Sequence, residues 1–265
     1  MTWRRPDDAE MACALVARLI ARAIEEKPSL VLGLATGRTM EGVYRRLVEM
    51  HKSQGLDFSG CRTFNLDEYV GLPPDDKGSY CYYMRRHFFS QVNMRPENTH
   101  LPDGMATNLV AACERYEELI HEAGGIDLQI LGIGEAGHIG FNEPLSALLS
   151  RTREKALSPM TLLQNAPFFG GSPANVPPRA LTMGVGTILE GKRLLLLATG
   201  KNKAGVIAKT MEGPITAMLS ASAVQLHPRC ATILDEAAAA ELQQQEYYRW
   251  IFDNEPEWAD FRTNE

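Results

Sequence analysis

Apolar residues recur with helical spacing at Met11, Leu15, Leu19 and Ile24, and the pattern then changes to the unbroken run "SLVLGLATG" at 29–37. This predicts a helix followed by a buried strand that ends in a glycine turn. The alternation continues with a helix near 40–53, a strand near 61–66, helices near 79–90 and 107–123, and a strand in "IDLQILGIG" at 126–134. Further on come "KRLLLLATG" at 192–200, a helix over 201–209, "CATILD" at 230–235 and an Ala/Glu/Gln-rich helix from about 236. Continuous apolar strands alternating with amphipathic helices predict a mostly parallel sheet with helices on both faces, an open α/β sandwich built as one domain. Residues 145–182 interrupt the pattern. Ser, Pro, Gly and Asn are frequent there, and "FFGGSPANVPP" excludes regular structure. Such a segment is either an active-site lid or a tolerated surface insertion.

With 265 residues, 45% hydrophobic and 23% charged, the chain is long and apolar enough for a sizeable core. No run reaches the length of a membrane span, and "MTWRRPDDAE" leads into a patterned segment instead of a signal-peptide apolar region, so a cytoplasmic location is expected. The five cysteines are odd in number and far apart, with no CxxC pair and no zinc-ligand spacing; free thiols and no metal are expected. The net charge of -6, spread without blocks, gives no footprint for nucleic acid but allows a small anionic ligand in a local basic pocket.

Two short stretches echo each other. "GLATGRT" (33–39) and "LLATGKNKA" (196–204) are each a strand end, a glycine turn and a helix start, with Arg38 in the first and Lys203 in the second. Backbone N–H groups at such a turn, backed by the helix dipole, favour a phosphate or carboxylate. The alternative is a pair of ordinary turns whose glycines only relieve strain. Both lie at carboxyl ends of strands, where open sheets bind ligands, which favours the anion. Neither is a Walker P-loop or a GxGxxG fingerprint.

The stretch "GIGEAGHIGFNEP" (132–144) places His138 on a glycine-rich turn beyond a buried strand, with Glu143 five residues on. A histidine with a carboxylate in reach is a usual acid-base pair, because the carboxylate fixes the tautomer and stabilises the imidazolium. A turn histidine bonded to backbone carbonyls is the plainer alternative. In "TFNLDEYVGL" (63–72), Asp67 and Glu68 break an apolar run at another strand end. They read as a general base with its neighbour, or as a helix N-cap. With parallel strands, Asp67, His138 and both anion turns share one rim of the sheet.

With these motifs in place the chain resembles the glucosamine 6-phosphate deaminase (isomerase) family, through "VLGLATG", "YRRLVEMHK", "TFNLDEYVGLP", "YEELI", "GHIGFNEP", "SRTREK", "VPPRALTMGVGTIL" and "LHPRCATILDE" in one order. The resemblance implies a Rossmann-like sandwich, frequently hexameric, without metal or organic cofactor. It also implies conversion of glucosamine 6-phosphate and water to fructose 6-phosphate and ammonia. By the same resemblance, Asp67 matches the base that moves a proton between C2 and C1, His138 the ring-opening group and Glu143 its orienting carboxylate. Thr36, Gly37, Arg38, Thr39 and Lys203 match phosphate-binding positions. Ser146, Arg153 and Lys155 match an allosteric site for N-acetylglucosamine 6-phosphate found in some bacterial members.

Three positions depart from the family. Ala136 stands where members carry Asp or Asn, Pro167 where they carry a phosphate-binding Arg before "FF", and Arg38 where they usually carry Gly. A bidentate guanidinium is not replaced by packing. The paired departures suggest a cation moved from lid to turn. The alternatives are a different anionic amino sugar or a catalytically weak sugar-phosphate-binding protein. A 6-phosphogluconolactonase fits less well, because its pattern after the Gly-His pair differs from "IGFNEP". A repressor-type sensor fits less well still, because the sheet begins by residue 30 with no helix-turn-helix before it.

Overall fold

The computed structural model describes residues 8–262; the first seven residues of the amino-terminal segment read above for targeting lie outside them. Helix α1 (Ala9–Glu26) opens on Asp8, whose side chain accepts the Met11 N–H at 2.8 Å. Its apolar stripe of Ala12, Leu15, Val16, Leu19 and Ile20 is buried against the sheet, as the helical spacing requires. Strand β1 (Val31–Leu34) is buried at every position and feeds α2 (Arg38–Gln54). After β2 (Arg62–Asn65) come β3 (Asp67–Tyr69), α3 (Tyr80–His87), β4 (Thr99–His100), α4 (Leu109–Glu122) and β5 (Leu128–Leu131). Next are β6 (Arg153–Ala156), α5 (Pro159–Asn165), β7 (Arg179–Thr182), α6 (Val185–Leu189), β8 (Leu194–Ala198), α7 (Ala204–Glu212) and β9 (Cys230–Leu234). Helices α8 (Gln245–Asn254) and α9 (Ala259–Arg262) close the described chain.

Six strands form one parallel sheet in the order β4-β2-β1-β5-β8-β9, with helices packed around it. This is the expected α/β Rossmann-like architecture. The strand order runs outward in opposite directions from β1 and β5, so the crevice between their carboxyl ends is the topological switch point where open sheets bind ligands. All five cysteines are unpaired. No helix among the described residues is long and apolar enough to cross a membrane.

Two expectations need correction. The interruption at 145–182 is not a loop: its strands β6 and β7 join β3 in an antiparallel sheet, and α5 lies between them. The reason is composition. The β6 residues "REKA" are half-buried or exposed, so this edge strand carries no apolar run for a sequence pattern to register. "FFGGSPANVPP" itself holds only short 3-10 turns, as its glycines and prolines require. A small second core of Tyr69, Phe141, Leu157, Ala166, Val176 and Ala180 unites this sheet with α5.

The C-terminal helix starts at Gln245, not near 236. Asp235 accepts the Ala238 N–H at 2.7 Å, and Ala238, Ala239 and Leu242 are buried in the main core. Docking these small side chains as turns outweighs the helix preference of an alanine run.

Candidate active site

A cleft of 580 Å³ opens at the carboxyl ends of β1, β2, β5 and β8. The first anion turn forms one wall, with Thr36, Gly37, Arg38 and Thr39 all lining it. Gly37 holds φ at +119°, a conformation open to glycine, and caps α2 without a side-chain bond. No acceptor among the described residues takes the amide hydrogens of Gly37, Arg38 or Thr39, so they face the cleft as free donors at a helix N-terminus. Tyr80 lines the cleft together with Thr36.

The second turn is built differently. Gly200 donates its N–H to both carboxylate oxygens of Asp235, at 3.0 and 2.9 Å, so that amide is already satisfied. What this turn offers the cleft is Lys203, whose Nζ donates to the Ile133 carbonyl at 2.9 Å. Burial pushes the Lys203 ammonium below its ordinary pKa, with Glu135 opposing. An ammonium keeps two further donors for an anion.

Asp67 begins β3 in the antiparallel sheet, opposite Thr182 of β7, and does not lie on the parallel strand β2. Strand alternation points it away from its neighbour. Glu68 turns to the start of α3, where its carboxylate accepts the N–H groups of Tyr80 and Cys81 at 2.9 and 2.8 Å. The helix-capping role considered for this acidic pair therefore belongs to Glu68, and it caps a helix twelve residues on. Asp67 is 6% exposed and faces the cleft. Burial first, and the Glu68 charge second, push its carboxyl up to about 8.

His138 also faces the cleft and is 8% exposed. Its ring lies flat against Gly134, where a Cβ would stand 2.2 Å from Nε2. The glycine is there to let the imidazole approach the backbone. Nδ1 sits 3.7 Å from Glu143 Oε2, within ion-pair range and beyond a direct hydrogen bond. The other oxygen, Oε1, accepts the Ser158 N–H at 3.0 Å, which anchors Glu143 to the start of α5. Burial depresses the His138 pKa, Glu143 opposes this, and Lys203 adds to it. The ring is therefore neutral at pH 7.

The three positions matched to an allosteric site lie outside the cleft. Ser146 is buried with its Oγ unpartnered, Arg153 donates to Asn142 Oδ1 at 2.8 Å, and Lys155 shares a face of β6 with Arg153. Ala136 is half-buried and does not line the cleft.

Glu135, Tyr80, Gln164, Phe168 and Asn202 line the cleft without having been singled out for a role. Glu135 accepts from Gln164 of α5 at 3.0 Å and from Asn202 beside Lys203 at 3.1 Å, joining the two sides. An acid inside a glycine run was the one signal for it.

The sequence profile described as "Glucosamine-6-phosphate isomerases/6-phosphogluconolactonase" matches residues 5–233. A glucosamine-6-phosphate deaminase of Bacillus velezensis is 51% identical over 84% of this chain and 92% of its own. That of Arthrobacter sp. is 48% identical over 92% of this chain and 94% of its own. A solved structure described as a monomeric glucosamine-6-phosphate deaminase superposes with a TM-score of 0.89 at 44% identity, covering 91% of this chain and all of the other. With the cleft at the switch point of a matching fold, and with identity at this level over most of its length, the chain belongs to the glucosamine-6-phosphate isomerase and 6-phosphogluconolactonase family.

Proposed function

We propose that the chain converts glucosamine 6-phosphate and water to fructose 6-phosphate and ammonia. One observation carries this: a buried carboxyl with a raised pKa and a buried neutral imidazole face a single cleft whose wall is a helix N-terminus with free donors. The names of the relatives at 48–51% identity agree with it.

The phosphate docks on the amides of Gly37, Arg38 and Thr39, with Arg38 and Lys203 supplying charge. His138 takes the proton of the C1 hydroxyl and returns it to the ring oxygen, which opens the pyranose to an aldehyde. Glu143 steadies the imidazolium formed in between. The carbonyl acidifies C2–H, and Asp67 takes that proton while the C–H electrons form the C1=C2 bond and the C1=O π electrons move onto O1, which takes a proton from the C2 ammonium and leaves the amine neutral. Asp67 then delivers the proton to C1, and the nitrogen lone pair forms a C2=N iminium. Water adds to C2 and ammonia leaves, giving the ketose. The segment 145–182, with α5 and Phe168 over the mouth, serves as the lid. A charged sugar phosphate is retained by membranes, which puts the enzyme in the cytoplasm. The family resemblance implies a hexamer and the solved relative is described as monomeric.

Arg38 replaces in the turn the cation that Pro167 denies to the lid. Removing it in Arg38→Ala is expected to raise KM for glucosamine 6-phosphate by about tenfold or more, the worth of a charge-assisted contact. Ammonia release by wild type and variant measures this; an unchanged KM sinks the relocation. Gly134→Ala drives a Cβ into the imidazole, which must shift. A displacement of about 1 Å at a reacting group costs on the order of 10²-fold in kcat, with folding retained by circular dichroism. Wild-type kcat in this variant would show that the position of His138 does not matter.

A further inference from the structure

The two phenylalanines of the lid part company. Phe169 packs edge-on against Tyr69 with ring centroids 5.3 Å apart, and it fills the space that a Cβ at Gly78 would need. Phe168, next in line, turns the other way, lines the cleft and remains 52% exposed. It contributes little to either core, so packing does not account for its direction. What it touches is Arg38, whose guanidinium carbon stands 5.3 Å from the centre of the ring. That distance lies within the range in which a cation is attracted to an aromatic face. The two residues come from opposite sides of the mouth, Arg38 from the first turn of α2 and Phe168 from the 3-10 turn that follows α5.

We propose that Phe168 is a positioning residue for phosphate: its ring holds the Arg38 guanidinium at the mouth, so that capture of the phosphate and closure of the lid are one event. This rests on the assignment of Arg38 as the phosphate cation. A free arginine side chain loses much rotamer freedom when it is fixed on an anion. A guanidinium already stacked on a ring has lost part of that freedom beforehand, and its edge still presents N–H donors to oxygen. The same contact ties the lid to the wall on one side, while Glu135 ties α5 to the Lys203 turn on the other.

The experiment is a double-mutant cycle on the full chain. It combines Phe168→Leu, which keeps an apolar side chain without a π face, with Arg38→Ala, and uses Phe168→Tyr as the conservative control. The readouts are KM and kcat for glucosamine 6-phosphate and the inhibition constant of inorganic phosphate. Phe168→Leu is expected to raise KM and the phosphate inhibition constant by about two- to fivefold, with a smaller change in kcat. Phe168→Tyr restores both values, and Phe168→Leu has no further effect once Arg38 is alanine. If Arg38→Ala alone raises KM but the effect of Phe168→Leu is the same in both backgrounds, the coupling is overturned and the phosphate role of Arg38 stands. If Arg38→Ala leaves KM and phosphate inhibition unchanged, both fall. Because Phe168 is half-exposed, the Leu variant keeps the wild-type melting temperature, which separates lost positioning from lost folding.

Discussion

Asp67→Asn is expected to lower kcat by about 10²- to 10⁴-fold while phosphate inhibition stays within about twofold of wild type, because an amide cannot take the C2 proton and the anion wall is untouched. Retention of more than about a tenth of wild-type kcat would remove Asp67 as the base. Its raised pKa makes two further results follow. The carboxyl must be ionised to accept a proton, and burial holds it protonated up to about 8. In wild type, kcat/KM therefore climbs with pH towards a plateau whose midpoint lies near 8. A carboxyl ordinarily releases its proton near 3.8, as it does in the unfolded chain. Between these values the folded state holds a proton that the unfolded state has lost, so stability falls as pH rises across that window. Asparagine has no such proton, and at pH 8 the variant is expected to be more stable than wild type by about 1–3 kcal/mol. Thermal melts at pH 5 and pH 8 read it: the advantage of Asn grows with pH. An advantage that shrinks with pH would mean that the folded carboxyl is not held protonated.

His138→Gln is expected to lower turnover of the ring-closed substrate by about 10²-fold or more, the usual contribution of a positioned proton-transfer group. Binding of an acyclic amino alditol phosphate, which needs no ring opening, is expected to remain within about twofold. An equal loss for both ligands would reduce His138 to a structural residue. The imidazole is neutral at pH 7 because burial depresses its pKa despite Glu143. Glu143 is itself held by the Ser158 N–H at 3.0 Å, so the start of α5 and the orientation of the histidine are mechanically linked. The 3.7 Å between the ring and the carboxylate is longer than a direct hydrogen bond, and acid-base pairs often tighten when substrate arrives.

Sequence pattern reaches some of this directly and stops short of the rest for reasons visible in particular residues. The buried parallel strands were legible because each is an apolar run that nothing but a covered sheet can hold, as in "LLLLA" of β8. The first glycine turn was legible because Gly37 and the residues around it lie next to one another in the chain. The polar strand β6 was not, since half-exposed "REKA" looks like any surface segment. The site of Asp67 was half legible. Its place at a strand end was read correctly, but its membership in the antiparallel sheet depends on pairing with Thr182, more than a hundred residues on. At the second turn, Asp235 from the end of β9 occupies the Gly200 amide, which a local view leaves free. Phe168 and Glu135 had no local signature at all, because a ring acquires its role from the cation opposite it and a carboxylate from the two donors it joins.

The sequence by itself determined the α/β class, the parallel strands and the glycine turns at their carboxyl ends, and it put forward Asp67, His138, Glu143 and Lys203 as candidates. These follow from periodicity and from chemistry carried within a few neighbouring residues. Only the tertiary structure decided which of them meet, how deeply Asp67 and His138 are buried and hence in which direction their protons are held. It alone brought Arg38 and Phe168 face to face across the cleft. Burial and long-range contact are properties of the folded chain, set by residues far apart in sequence, and a local pattern cannot carry them.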